Sequence, residues 1–224
     1  MKNIIELTHI AKTFELNNEL TTILRDVSLQ VKKWEKIAII GPSGSGKSTL
    51  LSLIAGLDTP TSGTVEFEWK SIQELTEAEL VEFRNKKIGI IFQSFELVQF
   101  FTAYENVMLP LSIRGAQDVA KVDEIFQHIG LEHRKNNLPS KLSGGEQQRV
   151  AIARVLASGC DVICADEPTG NLDMINGKKI LDLLLKTVAE NGKTLIIITH
   201  DMHIAEKMDK IYEIKEGLLI PYTI

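Results

Sequence analysis

The segment that most constrains the fold of this chain is a glycine-rich run between an apolar strand and a helix. The apolar run Lys36–Ile40 leads directly into Gly41-Pro-Ser-Gly-Ser-Gly-Lys-Ser48, and the helical pattern STLLSLIAG follows. The run matches G-x-x-x-x-G-K-[ST] at every position. Glycines let the backbone curl until successive N–H groups face one centre, and the next helix directs its positive dipole end at that point. The segment therefore predicts a strand–loop–helix unit that cradles phosphate groups.

Two side chains of this loop carry the expected chemistry. Lys47 supplies a mobile cation for the β- and γ-phosphates of a nucleotide, and Ser48 offers its hydroxyl to Mg²⁺. A plain glycine-rich turn is the alternative, but it gives no reason for the strand before the run and the helix after it. The residues predicted to contact ATP are Gly41, Pro42, Ser43, Gly44, Ser45, Gly46, Lys47, Ser48 and Thr49.

A second strand ends in two adjacent carboxylates. The run 162–165 is apolar, and Asp166 and Glu167 follow it. Because adjacent residues on a strand point in different directions, one carboxylate can serve a metal while the other faces an attacking water. We assign Asp166 to the metal and Glu167 to the role of general base, or of the residue that orients the water. Two solvated acids at a strand end are the alternative, which the complete phosphate loop upstream disfavours.

A second anion site is indicated at Leu142-Ser-Gly-Gly-Glu146, ahead of the long helical pattern QQRVAIARVLAS. Ser143, Gly144 and Gly145 would present a hydroxyl and backbone N–H groups at a helix N-terminus. The chain thus carries two phosphate-binding devices. Either one bilobed site uses both, or each completes a site on a different copy of the chain.

Length and composition limit the remaining classes. The 224 residues suit one domain, or two closely joined lobes, and 44% hydrophobic with 25% charged residues is ordinary for a soluble globular protein. A net charge of −5 argues against general nucleic-acid binding. Cys160 and Cys164 are expected to be reduced thiols. With no apolar run of about 20 residues and no signal-peptide pattern, a cytoplasmic protein is expected.

The order of elements predicts an α/β fold. Strands alternate with helices before residue 93 and after residue 160, which favours a largely parallel sheet. Between Gln93 and Cys160 no convincing strand pattern appears, and three helical segments are predicted. We therefore expect one domain, with 1–92 and 161–224 forming the core and about 93–160 an inserted helical subdomain.

The motifs, in their order along the chain, resemble those of the ATP-binding cassettes of ABC transporters. Besides the phosphate loop and the acidic strand, the matching motifs are a glutamine loop at Ile91–Gln93, a signature at Leu142–Glu146, a D-loop at Gly170–Asp173 and a switch histidine in Thr199–Asp201. The resemblance covers essentially the whole chain. It implies a P-loop NTPase core with a mostly parallel sheet, an N-terminal antiparallel β-subdomain and the helical insertion.

The resemblance also implies roles for single residues. Gln93 is similar to the residue that senses Mg²⁺ and the attacking water, and His200 to the one that contacts the γ-phosphate. Phe14 resembles the aromatic residue that stacks on adenine, although an ordinary core aromatic is the alternative. Asp173, in the D-loop, is counted among the nucleotide-binding residues. The resemblance thus implies ATPase activity with ATP and Mg²⁺.

In this family two cassettes pair head to tail with ATP between them. Ser143 and Gly145 would then touch the γ-phosphate bound by a second copy, which answers why the chain has two phosphate-binding devices. The implied partners are that copy and a membrane permease on a separate chain, with the cassette peripheral on the cytoplasmic face of the cell membrane. A soluble ABC protein acting on DNA or ribosomes is the alternative, but its coiled-coil insertion or second cassette is missing here.

Two departures from the family pattern point to a subgroup. The signature ends in Glu146 where the family often has Gln, and the D-loop has Asn171 where Ala is common. Both resemble cassettes of lipoprotein-release, macrolide-efflux and antimicrobial-peptide systems. The segment after the glutamine loop has apolar residues that belong either to the core or to a groove for a permease helix. They are Phe95, Leu97, Phe100, Phe101 and Tyr104.

Overall fold

The structure is a computed structural model, and it describes residues 2–16 and 19–223. Ten strands are found among them: β1 (Asn3–Leu16), β2 (Glu19–Lys32), β3 (Lys36–Ile40), β4 (Ser62–Phe67), β5 (Lys70–Ser71), β6 (Ile88–Ile91), β7 (Val162–Asp166), β8 (Thr194–Ile198), β9 (Lys210–Lys215) and β10 (Leu218–Tyr222). The same residues form seven α-helices: α1 (Lys47–Ile54), α2 (Glu77–Lys86), α3 (Ala103–Ile113), α4 (Val119–His128), α5 (Gly144–Ser158), α6 (Met174–Glu190) and α7 (Met202–Ala205).

The chain forms two compact units. The first unit comprises Met1–Arg84 and Lys193–Ile224, and the second unit is Asn85–Gly192. The second unit contains β6, β7 and α6 as well as the three helices α3, α4 and α5. The predicted limits of a helical subdomain at about 93–160 stay a prediction.

The first unit is built on a mixed sheet. Among its described residues eight strands follow the order β5-β4-β1-β2-β10-β9-β3-β8. β1 is antiparallel to both β2 and β4, whereas β3 is parallel to both β8 and β9. N-terminal antiparallel strands and a parallel core are the arrangement expected from the sequence, so the predicted fold class is confirmed.

The neighbouring strands β3 and β8 are almost uniformly apolar in sequence because both are buried. The residues 37–40 of β3 are at most 7% exposed, and all of β8 is buried. Parallel strands covered on both faces lose the alternation of polar and apolar residues. Ile39 pairs with Ile198, so the carboxyl ends of β3 and β8 lie side by side. The phosphate loop and Thr199–His200 therefore start from the same edge.

The second unit repeats this relationship with its own two strands. β6 and β7 are parallel, and Ile91 pairs with Ala165. Gln93 and the carboxylates Asp166 and Glu167 consequently follow neighbouring strand ends. Edges formed by the carboxyl ends of parallel strands are where α/β proteins bind ligands.

The helices of the second unit share one hydrophobic core. Phe126 on α4 is fully buried and stacks on Tyr104 of α3, with ring centroids 6.1 Å apart. Val107 and Val150, from α3 and α5, are also fully buried in this cluster. In the described part of the chain, no helix has the length and apolarity needed to cross a bilayer.

Candidate active site

Gly44 and Gly46 of the phosphate loop are needed for different reasons. Gly44 has φ +78° and Gly46 has φ +102°, a region that other residues rarely adopt. A Cβ at position 46 would stand 2.8 Å from Ile23 Cγ2, whereas one at position 44 would meet nothing within 4 Å. Gly46 therefore serves both the loop conformation and its close packing against β2.

Lys47 begins helix α1 and turns back over the loop. Its ammonium donates to the carbonyl oxygens of Gly41 at 2.9 Å and Pro42 at 2.8 Å, and the residue is only 7% exposed. The Ser45 hydroxyl is buried and, within the described residues, has no hydrogen-bond partner. A buried cation beside an unsatisfied hydroxyl at a helix N-terminus fits phosphate oxygens, which accept hydrogen bonds from both.

The predicted switch histidine follows the neighbouring strand of the same unit. The Thr199 backbone N–H donates to Ile39 O at 3.2 Å, and the Thr199 hydroxyl accepts from the Asp201 N–H at 3.0 Å. Asp201 in turn caps the short helix α7 through the His203 N–H. This fixes the turn that carries His200, whose side chain is exposed.

Phe14 lies on β1 opposite Thr21 and is 36% exposed. The Lys12 ammonium stands 4.9 Å from the centre of its ring. Phe14 is thus not a core aromatic, and its face is used by a cation. Its stacking on adenine stays a prediction.

The acidic turn after β7 is held from both sides. Asp166 is the last residue of the strand, and Glu167 has φ +43°, an unusual backbone for a non-glycine residue. The Gly170 N–H donates to Glu167 O at 2.9 Å. The fully buried Gln148 of α5 donates to Pro168 O at 2.6 Å. These bonds keep the Glu167 backbone in its strained conformation.

The Gln93 side chain is close to this turn. A Cβ at Gly170 would lie 2.9 Å from Gln93 Nε2 and 3.3 Å from Glu167 Oε2. Asn171 is hydrogen-bonded to Gln93 twice, once to its side chain and once to its backbone. The structure therefore brings together Gln93 and Glu167, two of the three predicted catalytic residues.

The chain beyond Gln93 is strained and clamped by an arginine. Phe95 and Glu96 have φ of +65° and +48°. Arg154 of α5 donates to Glu96 O at 2.5 Å and to Phe95 O at 3.0 Å. Burial lowers the pKa of Arg154 from its ordinary value, and a carboxylate at Glu96 acts in the opposite sense. Two carbonyls and a fork-shaped cation thus fix the glutamine loop to α5.

The apolar residues after the glutamine loop separate into two groups. Leu97 is buried in the helical core, and Phe95 and Tyr104 are partly buried against it. Phe100 is 78% exposed and packs edge-on against Phe101, with centroids 5.0 Å apart. A groove for a permease helix therefore stays a prediction for Phe100 and Phe101, whereas Leu97 belongs to the core.

The signature segment is built as a helix cap. The Ser143 hydroxyl accepts from the Glu146 N–H, and Glu146 Oε2 accepts from the Ser143 N–H at 2.8 Å and its hydroxyl at 2.9 Å. Arg134 Nε donates to the other carboxylate oxygen at 3.0 Å. Burial alone would raise the pKa of Glu146, but the bonds from Ser143 and the Arg134 charge together lower it. Glu146, the departure in the signature, thus completes a capping box and an ion pair.

The other signature and D-loop residues lie close by. A Cβ at Gly144 would be 3.4 Å from Leu172 and 3.7 Å from Phe95, and one at Gly145 would be 3.7 Å from Asn176. Asp173 caps α6 by accepting from the N–H groups of Ile175 and Asn176. Hydrogen bonds from Asn176 are the main reason that the pKa of Asp173 is lowered. A nucleotide contact by Asp173 stays a prediction.

No group of three or more His, Cys, Asp or Glu side chains able to hold a metal occurs in the part of the chain that the structure describes. Mg²⁺ is commonly bound by one or two carboxylates together with substrate phosphates, so the Asp166 carboxylate suits this ion, whereas Mg²⁺ contacts by Ser48 and Gln93 stay predictions. Three residues that hold the site have no role predicted from the sequence, namely Gln148, Arg154 and Asn171. Asn171 alone gave a signal, as a departure in the D-loop.

Comparison with known proteins decides the family. The ABC transporter family model matches residues 24–170, about two thirds of the chain. The chain belongs to this family of ATP-binding cassettes. The cassette is also 42% identical over 224 residues to the macrolide export ATP-binding/permease protein MacB of Mannheimia succiniciproducens, which confirms the predicted subgroup. The match covers 99% of the cassette but only 35% of that protein's length.

Solved structures agree with this assignment. The cassette superposes with a TM-score of 0.89 on a dimeric post-hydrolysis state of the ATP-binding cassette MJ0796 bound to ADP and Pi, at 41% identity and with 96% of each chain covered. CbiO1 of Clostridium perfringens, part of the ABC transporter complex cbiONQ, gives a TM-score of 0.85 at 31% identity. That match covers 98% of the cassette and 88% of cbiO1.

Proposed function

We propose that this cassette is the ATP-hydrolysing subunit of a membrane transporter. The observation that carries the proposal is the Gly41–Ser48 loop, with left-handed glycines and a buried lysine at the start of α1. The loop binds the triphosphate, and Phe14 stacks on the adenine. Ser48, Gln93 and Asp166 would hold Mg²⁺, and this ion would neutralise the charge that develops on the phosphates.

Hydrolysis follows from the groups beside the acidic turn. Glu167 accepts hydrogen bonds from the attacking water and aligns it with the γ-phosphorus, taking up the water's proton as the bond to the ADP oxygen breaks. Gln93 orients the same water, and His200 contacts the γ-phosphate. The bond from the Gly170 N–H to Glu167 O and the bond from Gln148 to Pro168 O support this role, because a fixed base does not need to reorganise during the reaction.

ATP binding closes a pair of cassettes in this proposal, and hydrolysis releases it. Ser143, Gly144 and Gly145 of one copy bind the γ-phosphate held by the other, and Asp173 lies at the same interface. The dimer of MJ0796 with ADP and Pi supports this arrangement. The name of MacB includes a permease, which supports a membrane partner for this cassette. In this proposal the cassette is peripheral on the cytoplasmic face of the cell membrane and drives export.

Substitution of the general base tests the function. We expect Glu167→Gln to bind ATP with undiminished affinity, to lose ATPase activity by about 100-fold or more, and to elute as a dimer in gel filtration with MgATP. Lys47→Ala should instead lose nucleotide affinity in calorimetry and stay monomeric. Glu190→Gln, an exposed carboxylate at the end of α6, is the matched control. A Glu167→Gln protein that hydrolyses ATP at the normal rate would refute the proposed base.

A further inference from the structure

Asn171 connects two loops that leave different strands of the second unit. Its Nδ2 donates to the Gln93 backbone oxygen at 2.9 Å, and its Oδ1 accepts from Gln93 Nε2 at 3.3 Å. Both polar atoms of the Asn171 amide are therefore used, and both bonds go to Gln93. Because Asn171 bonds both the backbone and the side chain of Gln93, it fixes the position of the Gln93 loop as well as the Gln93 rotamer.

The place to which Gln93 is held is set by Gly170. Gln93 Nε2 and Glu167 Oε2 both lie within 3.3 Å of the point that a Cβ of residue 170 would occupy. Any larger residue at position 170 would displace the Gln93 amide. Gly170 thus leaves the room, and Asn171 supplies the bonds that keep the Gln93 amide beside the Glu167 carboxylate.

The bonds are specific to an asparagine at this position. Gln93 is a long side chain with three rotatable bonds, and it loses much rotamer freedom when its amide is fixed. Alanine, which is common at position 171 in the ABC family, makes neither bond. The loop after β6 is also clamped by Arg154, but those two hydrogen bonds go to the carbonyl oxygens of Phe95 and Glu96 and not to Gln93.

We propose that Asn171 is a positioning residue that holds Gln93 beside Glu167, so that the D-loop and the glutamine loop move as one piece. The inference rests on the proposed function, in which Gln93 orients Mg²⁺ and the water that Glu167 activates. Motion of the D-loop then changes the position of Gln93 directly. Asn171 itself does not contact the reacting atoms.

The first experiment needs no nucleotide. Amide hydrogen exchange of residues 92–96 is compared between the wild-type chain and Asn171→Ala. We expect exchange in this segment to become at least about 5-fold faster, because the segment opens more readily once the two hydrogen bonds between Gln93 and Asn171 are lost. Asn191→Ala is the matched control, since the Asn191 side-chain amide donates to Thr187 O at the end of α6, at 2.9 Å. Unchanged exchange in Asn171→Ala would overturn the proposal.

The second experiment separates kcat from KM for ATP hydrolysis. We expect Asn171→Ala to lower kcat by roughly 5- to 20-fold with a much smaller change in KM, because the Gly41–Ser48 loop, which Asn171 does not hold, binds the triphosphate in the proposed function. In a chain that already carries Gln93→Ala, the further effect of Asn171→Ala on kcat should nearly vanish. Additive losses, or a loss of ATP affinity alone, would contradict a role through Gln93.

The two experiments also separate this inference from the proposed function. A wild-type chain with no ATPase activity would refute the proposed function, whereas hydrogen exchange would still report whether Asn171 holds the Gln93 loop. An active wild-type chain whose exchange and kcat are insensitive to Asn171→Ala would refute the inference alone.

Discussion

At the scale of single residues, the phosphate loop depends on backbone conformations that few side chains tolerate. Gly44 and Gly46 both have a left-handed backbone, but only Gly46 is also packed tightly, against Ile23 of β2. Alanine substitutions at the two positions therefore separate two losses of stability, one from the left-handed conformation and one from the contact with Ile23.

We expect Gly46→Ala to destabilise the chain more than Gly44→Ala. The conformation costs a non-glycine residue about 1 kcal/mol at either site, and the overlap with Ile23 adds roughly 1–3 kcal/mol at position 46. Urea unfolding at pH 7 measures both. Equal losses of stability in the two variants would show that Ile23 moves away without cost.

The residues that carry the chemistry were easier to predict than the residues that hold them. The phosphate loop and the Asp166–Glu167 pair are contiguous in sequence, so their spacing alone indicates phosphate and metal chemistry. Gln148 and Arg154 instead bind backbone carbonyls, and the latter's partners are 58 and 59 residues away. Any residue can supply a carbonyl, so no side-chain pattern in the sequence reveals such a bond.

At the scale of elements, the start of α5 joins helix capping to the signature. Glu146 accepts two hydrogen bonds from Ser143 and one from Arg134. Its carboxylate therefore fixes the helix N-terminus that presents Ser143, while Arg134 balances its charge. A glutamine would keep the capping box but not the ion pair.

The lowered pKa of Glu146 predicts a pH effect with a defined sign. Ionised Glu146 stabilises the folded chain above its ordinary pKa of 4.5, and this contribution is lost as the pH falls through the lower pKa of the folded state. We expect Glu146→Gln to reduce the decline of unfolding free energy below pH 4.5, measured by urea titration from pH 7 to pH 3.5. Arg134→Ala should reduce it in part, because the Ser143 bonds remain. Identical pH profiles for wild type and Glu146→Gln would contradict the assignment.

Most elements could be predicted from sequence, with errors at their ends. β3 was predicted with its observed bounds, because an apolar run followed by glycine leaves little choice. The sequence pattern predicts a helix from about Asn176 to Glu190, and α6 starts two residues earlier, at Met174, because Asp173 caps it through its side chain. The sequence pattern IIELTHI predicts a strand over residues 4–10, but β1 extends to Leu16, because register shifts after Leu7 and Ile10 interrupt the alternation that would have indicated the rest. Irregular pairing of this kind depends on the partner strand.

At the scale of the whole molecule, each unit offers one edge of parallel strand ends. The first unit carries the phosphate loop and Thr199–His200 there, and the second carries Gln93 and the carboxylates after β7. The sequence could indicate both edges, because each motif directly follows an apolar strand. It could not indicate the limits of the units, since the boundary between Arg84 and Asn85 lies inside helix α2.

The reactivity of the two thiols reports how well the core of the second unit excludes solvent. Cys160 and Cys164 are at most 1% exposed, and no disulfide joins them. Burial, helped by the neighbouring Cys160, raises the pKa of Cys164. We expect both to react with a chromogenic disulfide reagent at pH 8 roughly 100-fold more slowly in the native chain than in urea. Rapid reaction of the native chain would show that this core opens readily.

Hidden native thiols make the chain a convenient carrier for optical probes. Met174 is 90% exposed at the start of α6, one residue after Asp173. A cysteine substituted there would be far more reactive than the two natural ones, so a single fluorophore can be attached without altering either. Two labelled populations, one with a donor dye and one with an acceptor, would then report the pairing and separation of cassettes in real time during each round of ATP turnover.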